Sequence, residues 1–236
     1  MNRLALILLQ NIFRLPGAYA KLCRYAKNPE RYGEQQTWDH IRKVLKMVAR
    51  SGNIDLQVIG VENIPQKGGF MLYGNHQGLF DVVAIGSSCP RPLGAVYKIE
   101  LANTPVLKQI YACTKSFGMD RDDVRQSLTV IQNVTEEVKN GRSYLIFPEG
   151  TRSKNGNVMG EFHGGSFRCA IKAKCPIVPL ALIDSGKVLD QKGSAPVKVQ
   201  LHYLKPIPYE EYKDLKSVAL AQLVKDRIQA AIDENT

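Results

Sequence analysis

Two short segments of the chain combine residue types that can move a proton and hold an anion. In the first, NHQGLFD, His76 and Asp81 stand five residues apart. Histidine titrates near neutral pH, and a carboxylate at this spacing can orient the imidazole ring by accepting a hydrogen bond from one nitrogen. In the second, FPEGTRS, Glu149 and Arg152 flank a turn that contains Gly150. Together the two segments predict proton abstraction beside an anionic substrate.

Each of these segments follows an apolar run that predicts a buried strand. The runs cover residues 69–73 and 143–147. Each segment therefore lies where a strand ends and the chain turns, which is where open α/β sheets bind their ligands.

The two segments resemble the first and third signature motifs of the glycerolipid acyltransferases, specifically the 1-acylglycerol-3-phosphate acyltransferase family, written NHxxxxD and FPEGTRS. The second motif of that family is matched by residues 98–101 and 118–121, and the fourth by residues 177–180, an apolar run around Pro179. The chain departs from the family after the third motif. His163 stands where many members carry a lysine, so a titratable group replaces a cation, which leaves the polar head of the acceptor open.

The resemblance implies an enzyme that moves a fatty acyl group from acyl-CoA or acyl carrier protein to the sn-2 hydroxyl of 1-acylglycerol-3-phosphate. The product is phosphatidic acid. The thioester is a co-substrate, and neither a resident cofactor nor a metal ion is expected. The candidate catalytic residues are His76 and Asp81. The candidate substrate-binding residues are Lys98, Arg121, Glu149, Gly150, Thr151 and Arg152.

The residue types fit this chemistry. His76 can take the proton of the attacking hydroxyl while Asp81 fixes the ring tautomer, and since the acceptor attacks directly no acyl-enzyme is required. Arg152 offers forked donors that match phosphate oxygens, and Arg121 is the second candidate cation. Glu149 either binds a glycerol hydroxyl, orients a cation or only pairs with Arg152.

The roles of Lys98 and His163 stay open at this level. Lys98 either contributes to the site or is merely solvated at the end of a strand. His163 can contact the acceptor, whereas His40 and His202 are expected to be structural. Pro179 is expected to shape the pocket or the acyl groove without taking part in the chemistry.

Three other functions compete with this hypothesis. Within the same class, glycerol-3-phosphate or another lysophospholipid can be the acceptor. A metal-dependent hydrolase can use His76, Asp81 and Glu149, although the chain lacks a histidine pair at metal-ligand spacing. A non-catalytic membrane-binding module leaves the His76 and Asp81 motif unexplained.

Charge is concentrated near the start of the chain. The 236 residues carry a formal net charge of +10, and residues 1–50 contain ten lysines and arginines against three acidic residues. The interleaved side chains are aliphatic at helical spacing, which favours an anionic bilayer over nucleic acid as the partner. No apolar run reaches the roughly 18 residues of a spanning helix, and no signal peptide is expected. We expect a peripheral or monotopic protein on the cytoplasmic face of the cell membrane.

The basic segment predicts a two-helix membrane-associating motif over residues 1–52, followed by an acyltransferase domain over residues 53–236. The first helix covers residues 4–15, and the second carries an apolar stripe of Trp38, Ile41, Leu45 and Val48. Such a pair can lie in the membrane interface. Alternatively, the stripe packs on the core of the protein with Trp38 as a buried anchor.

From residue 55 onward, predicted strands and helices alternate, which indicates an α/β fold with a mixed, mostly parallel sheet flanked by helices. Strands are predicted at residues 56–61, 70–73, 93–97, 116–119, 143–147, 177–183 and 197–203. Helices are predicted at residues 104–112, 122–140, 165–174 and 217–233. Asp122 or Asp123 can cap the second of these helices, and Gly141 can end it.

The five cysteines are scattered and contain no CxxC pair. This pattern is typical of reduced thiols in a cytosolic compartment, and the simplest interpretation is that they are buried and inert.

Overall fold

A computed structural model describes residues 3–190 and 193–236, and within these ranges seven strands form one sheet. The strands are β1 (Ile54–Ile59), β2 (Met71–Gly74), β3 (Leu93–Lys98), β4 (Phe117–Met119), β5 (Ser143–Ile146), β6 (Ile177–Ile183) and β7 (Val197–Tyr203). Their order across the sheet is β1, β7, β6, β2, β5, β3, β4. Neighbouring strands are parallel except for β6 and β7, which are antiparallel. The predicted α/β class with a mixed, mostly parallel sheet is confirmed.

Ten α-helices accompany the sheet within the described residues. They are α1 (Arg3–Asn11), α2 (Leu15–Lys27), α3 (Glu34–Ala49), α4 (Phe80–Ser88), α5 (Leu107–Thr114), α6 (Val124–Lys139), α7 (Arg168–Ala173), α8 (Lys187–Asp190), α9 (Tyr209–Tyr212) and α10 (Ser217–Asp233). The α6 helix begins after Asp123, whose carboxylate accepts hydrogen bonds from the backbone N–H groups of Arg125 and Gln126. It ends before Gly141, which adopts the left-handed φ of +93° that favours glycine. Both ends follow the predicted capping residues.

Helices cover both faces of the sheet, which explains why its central strands are apolar along their whole length. On one face α6 and α10 contribute Val134 and Val224 to a buried core. On the other face α3 and α4 contribute Trp38 and Ile85 to a second core. Every residue of β2, β5 and β6 is buried between these two layers. The loops that follow the carboxyl ends of β2 and β5 are not covered by these two layers, and they carry the first and third motifs.

The N-terminal region contains three helices rather than the predicted two. The predicted helix over residues 4–15 ends with α1 at Asn11, whose side chain donates hydrogen bonds to the Ile7 carbonyl and the Ser51 hydroxyl. The α2 helix follows where no helix was predicted, and Pro16 fits its first turn because a backbone N–H has no helical partner there. The α4 helix was also missed, because it is short and lacks the periodic apolar face of a surface helix.

The apolar stripe of α3 packs against the rest of the protein. Trp38 and Ile41 are buried, and Trp38 Nε1 donates a hydrogen bond to the Cys89 carbonyl at 3.1 Å. Leu45 lies against Gly86 of α4, where an added Cβ would stand 2.4 Å from the Leu45 Cδ1 atom. Trp38, Ile41 and Leu45 therefore pack on the core of the protein, which is the second of the two predicted arrangements.

Exposed apolar side chains of the N-terminal region lie on α1 and in the turn that follows it. Leu8 and Leu9 are at least half exposed, and Phe13 is 96% exposed. The opposite face of α1 is held by the buried guanidinium of Arg3, which donates hydrogen bonds to the carbonyls of Gly52 and Ala195. Across residues 3–190 and 193–236, no helix is long and apolar enough to cross a membrane. The predicted domain boundary falls between α3 and β1.

Candidate active site

The first and third motifs lie side by side because β2 and β5 are adjacent parallel strands, with Tyr73 paired to Ile146. The loop after β2 begins with Asn75 and His76, and the loop after β5 leads to Glu149. Two hydrogen bonds join these loops. His76 donates its backbone N–H to Glu149 Oε1 at 2.8 Å, and Ser153 donates its backbone N–H to the His76 carbonyl at 2.7 Å. The predicted site at the carboxyl ends of these strands is therefore a single connected unit.

A short hydrogen bond joins His76 to Asp81. His76 Nδ1 lies 2.6 Å from Asp81 Oδ2, and the Asp81 side chain is fully buried in the first turn of α4. The same oxygen accepts hydrogen bonds from the backbone N–H groups of Gln77 and Gly78 at 2.7 and 3.0 Å. A carboxylate at Nδ1 favours the tautomer with the proton on that nitrogen, which leaves Nε2 free to accept a proton.

The His76 ring is held in place but remains accessible. It stacks on Phe147 with ring centroids 4.1 Å apart and an interplanar angle of 11°. Its side chain keeps 21% of its surface exposed, and no residue in the described ranges hydrogen-bonds to Nε2. The arrangement can therefore deprotonate a hydroxyl group that approaches Nε2.

Glu149 is a buried link between backbone segments. Its Oε1 atom accepts the His76 backbone N–H, and its Oε2 atom accepts the backbone N–H of Gly160 at 2.7 Å. Gly160 suits this close approach, because an added Cβ there would stand 3.0 Å from Oε2. Within the described part of the chain, no ion pair joins Glu149 to Arg152, so the simple pairing considered from the sequence is not formed.

Arg121 and His163 lie on either side of Gly150. Gly150 has a left-handed φ of +68°, and an added Cβ would stand 3.6 Å from His163 Cδ2 and 3.9 Å from Arg121 Cζ. Both side chains are exposed, and in the described residues neither the Arg121 guanidinium nor the His163 ring has a hydrogen-bond or ion-pair partner. The turn thus offers a guanidinium and a titratable ring to an anion.

Thr151 and Arg152 line a neighbouring polar cleft with a volume of about 620 Å³. Lys154 and Lys187 line the same cleft, so three basic side chains surround it. Lys187 forms an ion pair with Asp184 at 2.8 Å, whereas the exposed Arg152 guanidinium has no such partner in the ranges that the structure describes. This cleft can hold a phosphate group.

Lys98 lies at the same edge of the sheet, at the end of β3 and in register with Met119 of β4. It forms an ion pair with Glu100, and this contact lowers the pKa of the Glu100 carboxyl, first through the hydrogen bond from Lys98. Both side chains are more than half exposed. Lys98 therefore lies at the edge of the site, and its charge is already paired with the exposed carboxylate of Glu100.

Two of the remaining histidines contact other parts of the protein. His40 Nε2 lies 3.0 Å from the Ala18 carbonyl, and His202 Nε2 lies 3.2 Å from Gln200 Oε1. Burial lowers the pKa of His202 because it disfavours the charged ring. Both positions agree with the structural roles expected from the sequence. The described residues contain no group of three or more histidine, cysteine or acidic side chains that could hold a metal ion.

Three residues that contact the His76 and Asp81 segment were missed by the sequence analysis. Asn75 forms two hydrogen bonds of 2.8 Å with the backbone of Leu182 in β6. Gln77 donates a hydrogen bond to the Leu182 carbonyl at the same distance, and Ser185 donates one to Asp81 at 2.5 Å. Asn75 and Gln77 lie inside the first motif, so their positions in the sequence could have identified them as part of the site. Nothing in the sequence marks Ser185 in this way, since it is 104 residues from Asp81 in the chain.

The family of the chain is shown by its similarity to known proteins. A family model described as Acyltransferase matches residues 55–183, which include β2 to β6, nearly all of β1 and both the His76 and Glu149 loops. This match covers more than half of the chain. The protein therefore belongs to the acyltransferase family, and the resemblance seen in its four motifs is confirmed.

Individual relatives agree with this family. The chain is 29% identical to the 1-acyl-sn-glycerol-3-phosphate acyltransferase of Saccharomyces cerevisiae over 77% of its own length and 61% of that protein. It is 34% identical to the chloroplastic 1-acyl-sn-glycerol-3-phosphate acyltransferase BAT2 of Brassica napus over 55% of its length and 38% of that protein. The chain thus spans less than two thirds of the length of these two relatives.

The fold is shared along nearly the whole chain with a solved structure. The crystal structure of the 1-acyl-sn-glycerophosphate (LPA) acyltransferase PlsC from Thermotoga maritima superposes with a TM-score of 0.77. The match covers 98% of this chain and 96% of the other, at 23% sequence identity. The N-terminal helices are therefore part of the shared architecture.

Proposed function

We propose that the protein transfers a fatty acyl group from a thioester to the sn-2 hydroxyl of 1-acylglycerol-3-phosphate, giving phosphatidic acid. Acyl-CoA and acyl carrier protein are both suitable donors, and no resident cofactor takes part. The observation that carries the proposal is the 2.6 Å pair of His76 Nδ1 and Asp81 Oδ2, with Nε2 free of hydrogen bonds from the residues that the structure describes. The names of the matched relatives support the same reaction.

In this proposal His76 is the general base. Its Nε2 atom takes the proton of the acceptor hydroxyl while the hydroxyl oxygen attacks the thioester carbonyl. A carbon–oxygen bond forms, the carbon–sulfur bond breaks, and the proton passes from Nε2 to the departing thiolate. Asp81 holds the ring and stabilises the transient imidazolium, a general-base arrangement that contributes about 10²- to 10⁴-fold in rate. The acceptor attacks directly, so no acyl-enzyme forms.

The phosphate of the acceptor is proposed to bind at the turn after β5. Arg152 faces the basic cleft, and Arg121 and His163 border Gly150. A guanidinium can bind phosphate through two parallel hydrogen bonds, and the left-handed turn at Gly150 leaves room for an anion to approach the backbone. Glu149 supports this turn by linking it to His76. Lys98 is proposed as a secondary cation.

An apolar groove beside α4 is proposed to hold an acyl chain. It has a volume of about 600 Å³ and is lined almost entirely by apolar side chains of α1, α2, α3, α4 and α5. Leu8 and Leu9 line one side, and Val83 lines another, one turn of α4 away from Phe80. Since α4 also carries Asp81, an alkyl chain in this groove can extend from the neighbourhood of the site.

The N-terminal helices are proposed to hold the protein on the cytoplasmic face of the cell membrane as a peripheral or monotopic enzyme. Leu8, Leu9 and Phe13 form an exposed apolar surface next to a basic groove of about 1260 Å³. Lys46 lines this groove, and its pKa is lowered by desolvation and then by the neighbouring charges of Arg42 and Arg50. Apolar insertion with cations beside it suits an anionic bilayer.

Two alternatives are separable from this proposal. Glycerol-3-phosphate or another lysophospholipid can replace the acceptor, because the cations around Gly150 recognise phosphate and not the rest of the molecule. A metal-dependent hydrolase needs His76, Asp81 and Glu149 on one ion. That use competes with the hydrogen bonds that both oxygens of each carboxylate already accept from the chain.

A panel of substrates tests the proposed reaction. Purified protein is incubated with lysophosphatidate, glycerol-3-phosphate or lysophosphatidylcholine, each with palmitoyl-CoA and with palmitoyl-acyl carrier protein, and the products are identified by mass spectrometry. We expect phosphatidate from lysophosphatidate with at least one donor, in the presence of EDTA. Acylation of another acceptor alone would move the function to that acceptor. Release of free fatty acid that EDTA abolishes would favour the hydrolase.

A further inference from the structure

The second oxygen of the Asp81 carboxylate is held by a serine from a distant part of the chain. Ser185 donates its hydroxyl to Asp81 Oδ1 at 2.5 Å, whereas Oδ2 accepts from His76 and the loop backbone. Ser185 is 1% exposed and Asp81 is fully buried. Within the described residues the Ser185 hydroxyl is the only hydrogen-bond partner of Oδ1, so its removal would leave a buried carboxylate oxygen unpaired.

The position of Ser185 depends on an unusual turn at the end of β6. The preceding residue, Asp184, has a left-handed φ of +62°, which is uncommon for a side chain other than glycine. Asn157 supports this conformation from both sides. Its Oδ1 atom accepts the Asp184 backbone N–H at 2.9 Å, and its Nδ2 group donates to the Asp184 carboxylate at 3.1 Å. Such strain persists where surrounding contacts determine the backbone, and it is common at functional sites.

Gln77 closes the network between this turn and the general base. Its amide group donates to Asn157 Oδ1 and to the Leu182 carbonyl, each at 2.8 Å. Its carbonyl oxygen lies 3.1 Å from the Ser185 hydroxyl oxygen, whose one hydrogen is donated to Asp81, and it accepts a hydrogen bond from the Gly186 backbone N–H at 3.3 Å. Gln77 directly follows His76, so the network runs from the loop of the base, through the β6 turn, and back to Asp81.

We propose that Ser185 is a positioning residue for the general base. Its hydroxyl holds the Asp81 carboxylate in the rotation that places Oδ2 against His76 Nδ1. Without this donor the carboxylate has a buried, unpaired oxygen and turns toward other donors, which lengthens the contact to Nδ1 and loosens the imidazole ring. The inference rests on the proposed function, since it assigns Ser185 a part in the same proton transfer.

The test compares Ser185→Ala with Ser185→Thr and with a matched control. We expect Ser185→Ala to lower kcat about 10- to 100-fold with little change in the KM of either substrate, the rate equivalent of a hydrogen bond to a charged group. Ser185→Thr keeps the hydroxyl and should recover most of the activity. The control is Ser87→Ala in α4, which removes another buried hydroxyl, one that donates to the Ala84 carbonyl at 3.0 Å. It should leave kcat near the wild-type value.

Proton NMR with labelled histidine provides a readout that a merely structural serine would not move. A downfield Nδ1–H signal that is absent in His76→Ala reports the short contact with Asp81. We expect this signal to move upfield or vanish in Ser185→Ala and to remain in Ser87→Ala. Should Ser185→Ala not fold, Asn157→Ala acts on the same serine through Asp184 and Gln77, and should give a smaller loss in the same direction.

Two outcomes separate this inference from the proposed function. If wild-type protein transfers acyl groups and His76→Ala does not, while Ser185→Ala retains both wild-type kcat and the downfield signal, the role of Ser185 is contradicted and the function stands. If wild-type protein transfers no acyl group, the proposed function fails, while the NMR comparison still decides whether Ser185 holds the pair.

Discussion

Two groups of side chains lie at the carboxyl ends of the strands, the His76 and Asp81 pair and the arginines near Gly150. The chain fixes the first group by hydrogen bonds and leaves the second group exposed. Both oxygens of Asp81 accept hydrogen bonds from the chain, and the His76 ring is fixed by Asp81 and by stacking on Phe147. Arg121 and Arg152 are exposed, and within the described ranges their guanidinium groups form no hydrogen bond or ion pair.

This difference suggests that the buried pair serves proton transfer and the exposed arginines serve phosphate binding. Proton transfer needs atoms placed to within a fraction of an ångström, so a base is best held by contacts already formed before substrate arrives. Phosphate binding is less exacting, since a mobile guanidinium can close on its ligand. We therefore expect changes on the buried side to lower kcat and changes on the exposed side to raise KM.

Among the variants that compare these two groups of residues, Asp81→Asn is expected to change the kinetics most. An amide cannot supply the negative charge that stabilises the imidazolium and does not favour the productive tautomer, so kcat should fall about 10²- to 10⁴-fold. Steady-state kinetics with lysophosphatidate measures this change, and thermal unfolding checks that the fold remains. A variant that is folded and raises only KM would show that Asp81 serves binding.

Arg152→Ala should raise the KM of the phosphorylated acceptor about 10- to 100-fold, because a charge-assisted hydrogen bond to phosphate is lost. Arg121→Ala should act in the same direction to a smaller degree, and the KM of the thioester should change little in both. Arg227→Ala removes a partly exposed arginine of α10 that pairs with Glu211, and serves as the charge-matched control. A rise in donor KM with unchanged acceptor KM would mean that the two substrates are assigned to the wrong positions.

Changes to the exposed apolar side chains of α1 and of the turn that follows it should have a smaller effect, on membrane binding. The double variant Leu9→Ser and Phe13→Ser should lower binding to anionic liposomes by about 10-fold or more, since full burial of one such side chain contributes about 1.5–3 kcal/mol. Sedimentation with liposomes measures the binding, and release of the wild-type protein by salt checks the electrostatic part. Ile59→Ser on the edge strand β1 is the matched control, since Ile59 is also an exposed apolar residue. Unchanged liposome binding of the double variant would place membrane contact elsewhere.

Deletion of residues 1–50 would test membrane binding less cleanly than these point changes. That change also removes Trp38 and Ile41, which are buried between α3 and α4. Point changes at Leu9 and Phe13 spare Trp38 and Ile41, so they separate membrane binding from folding.

The cysteines give the smallest expected effect. Burial raises the pKa of Cys89 and Cys169 to about 11 and that of Cys175 to about 12, so these thiols remain protonated at pH 8. Iodoacetamide at that pH should label the partly exposed Cys23 first and leave activity nearly unchanged, as judged by peptide mass spectrometry. Fast labelling of Cys169 in the folded protein would show that this core opens.

The sequence predicted what depends on local pattern and missed what depends on distant contacts. Continuous apolar runs predicted the central strands, and the motifs predicted that His76 and Glu149 lie near each other. The α4 helix was missed because its apolar residues cover most of its surface, so no periodic face marks it. Ser185 was missed because a serine after a strand is common, and only the folded sheet brings it to Asp81. The sequence could not decide whether the apolar stripe that contains Trp38 faces the core or the membrane, because both surroundings favour the same pattern of apolar residues.

The most direct test of the central claim is the rate of phosphatidate formation by His76→Ala, measured beside the wild-type protein on lysophosphatidate and an acyl thioester. We predict a loss of about 10²- to 10⁴-fold in kcat, with the melting temperature, liposome binding and substrate KM values close to those of the wild type. This result would follow from the removal of the base alone. Near-normal turnover by the folded variant would contradict the account, because the hydroxyl proton would then leave by a route that does not involve His76.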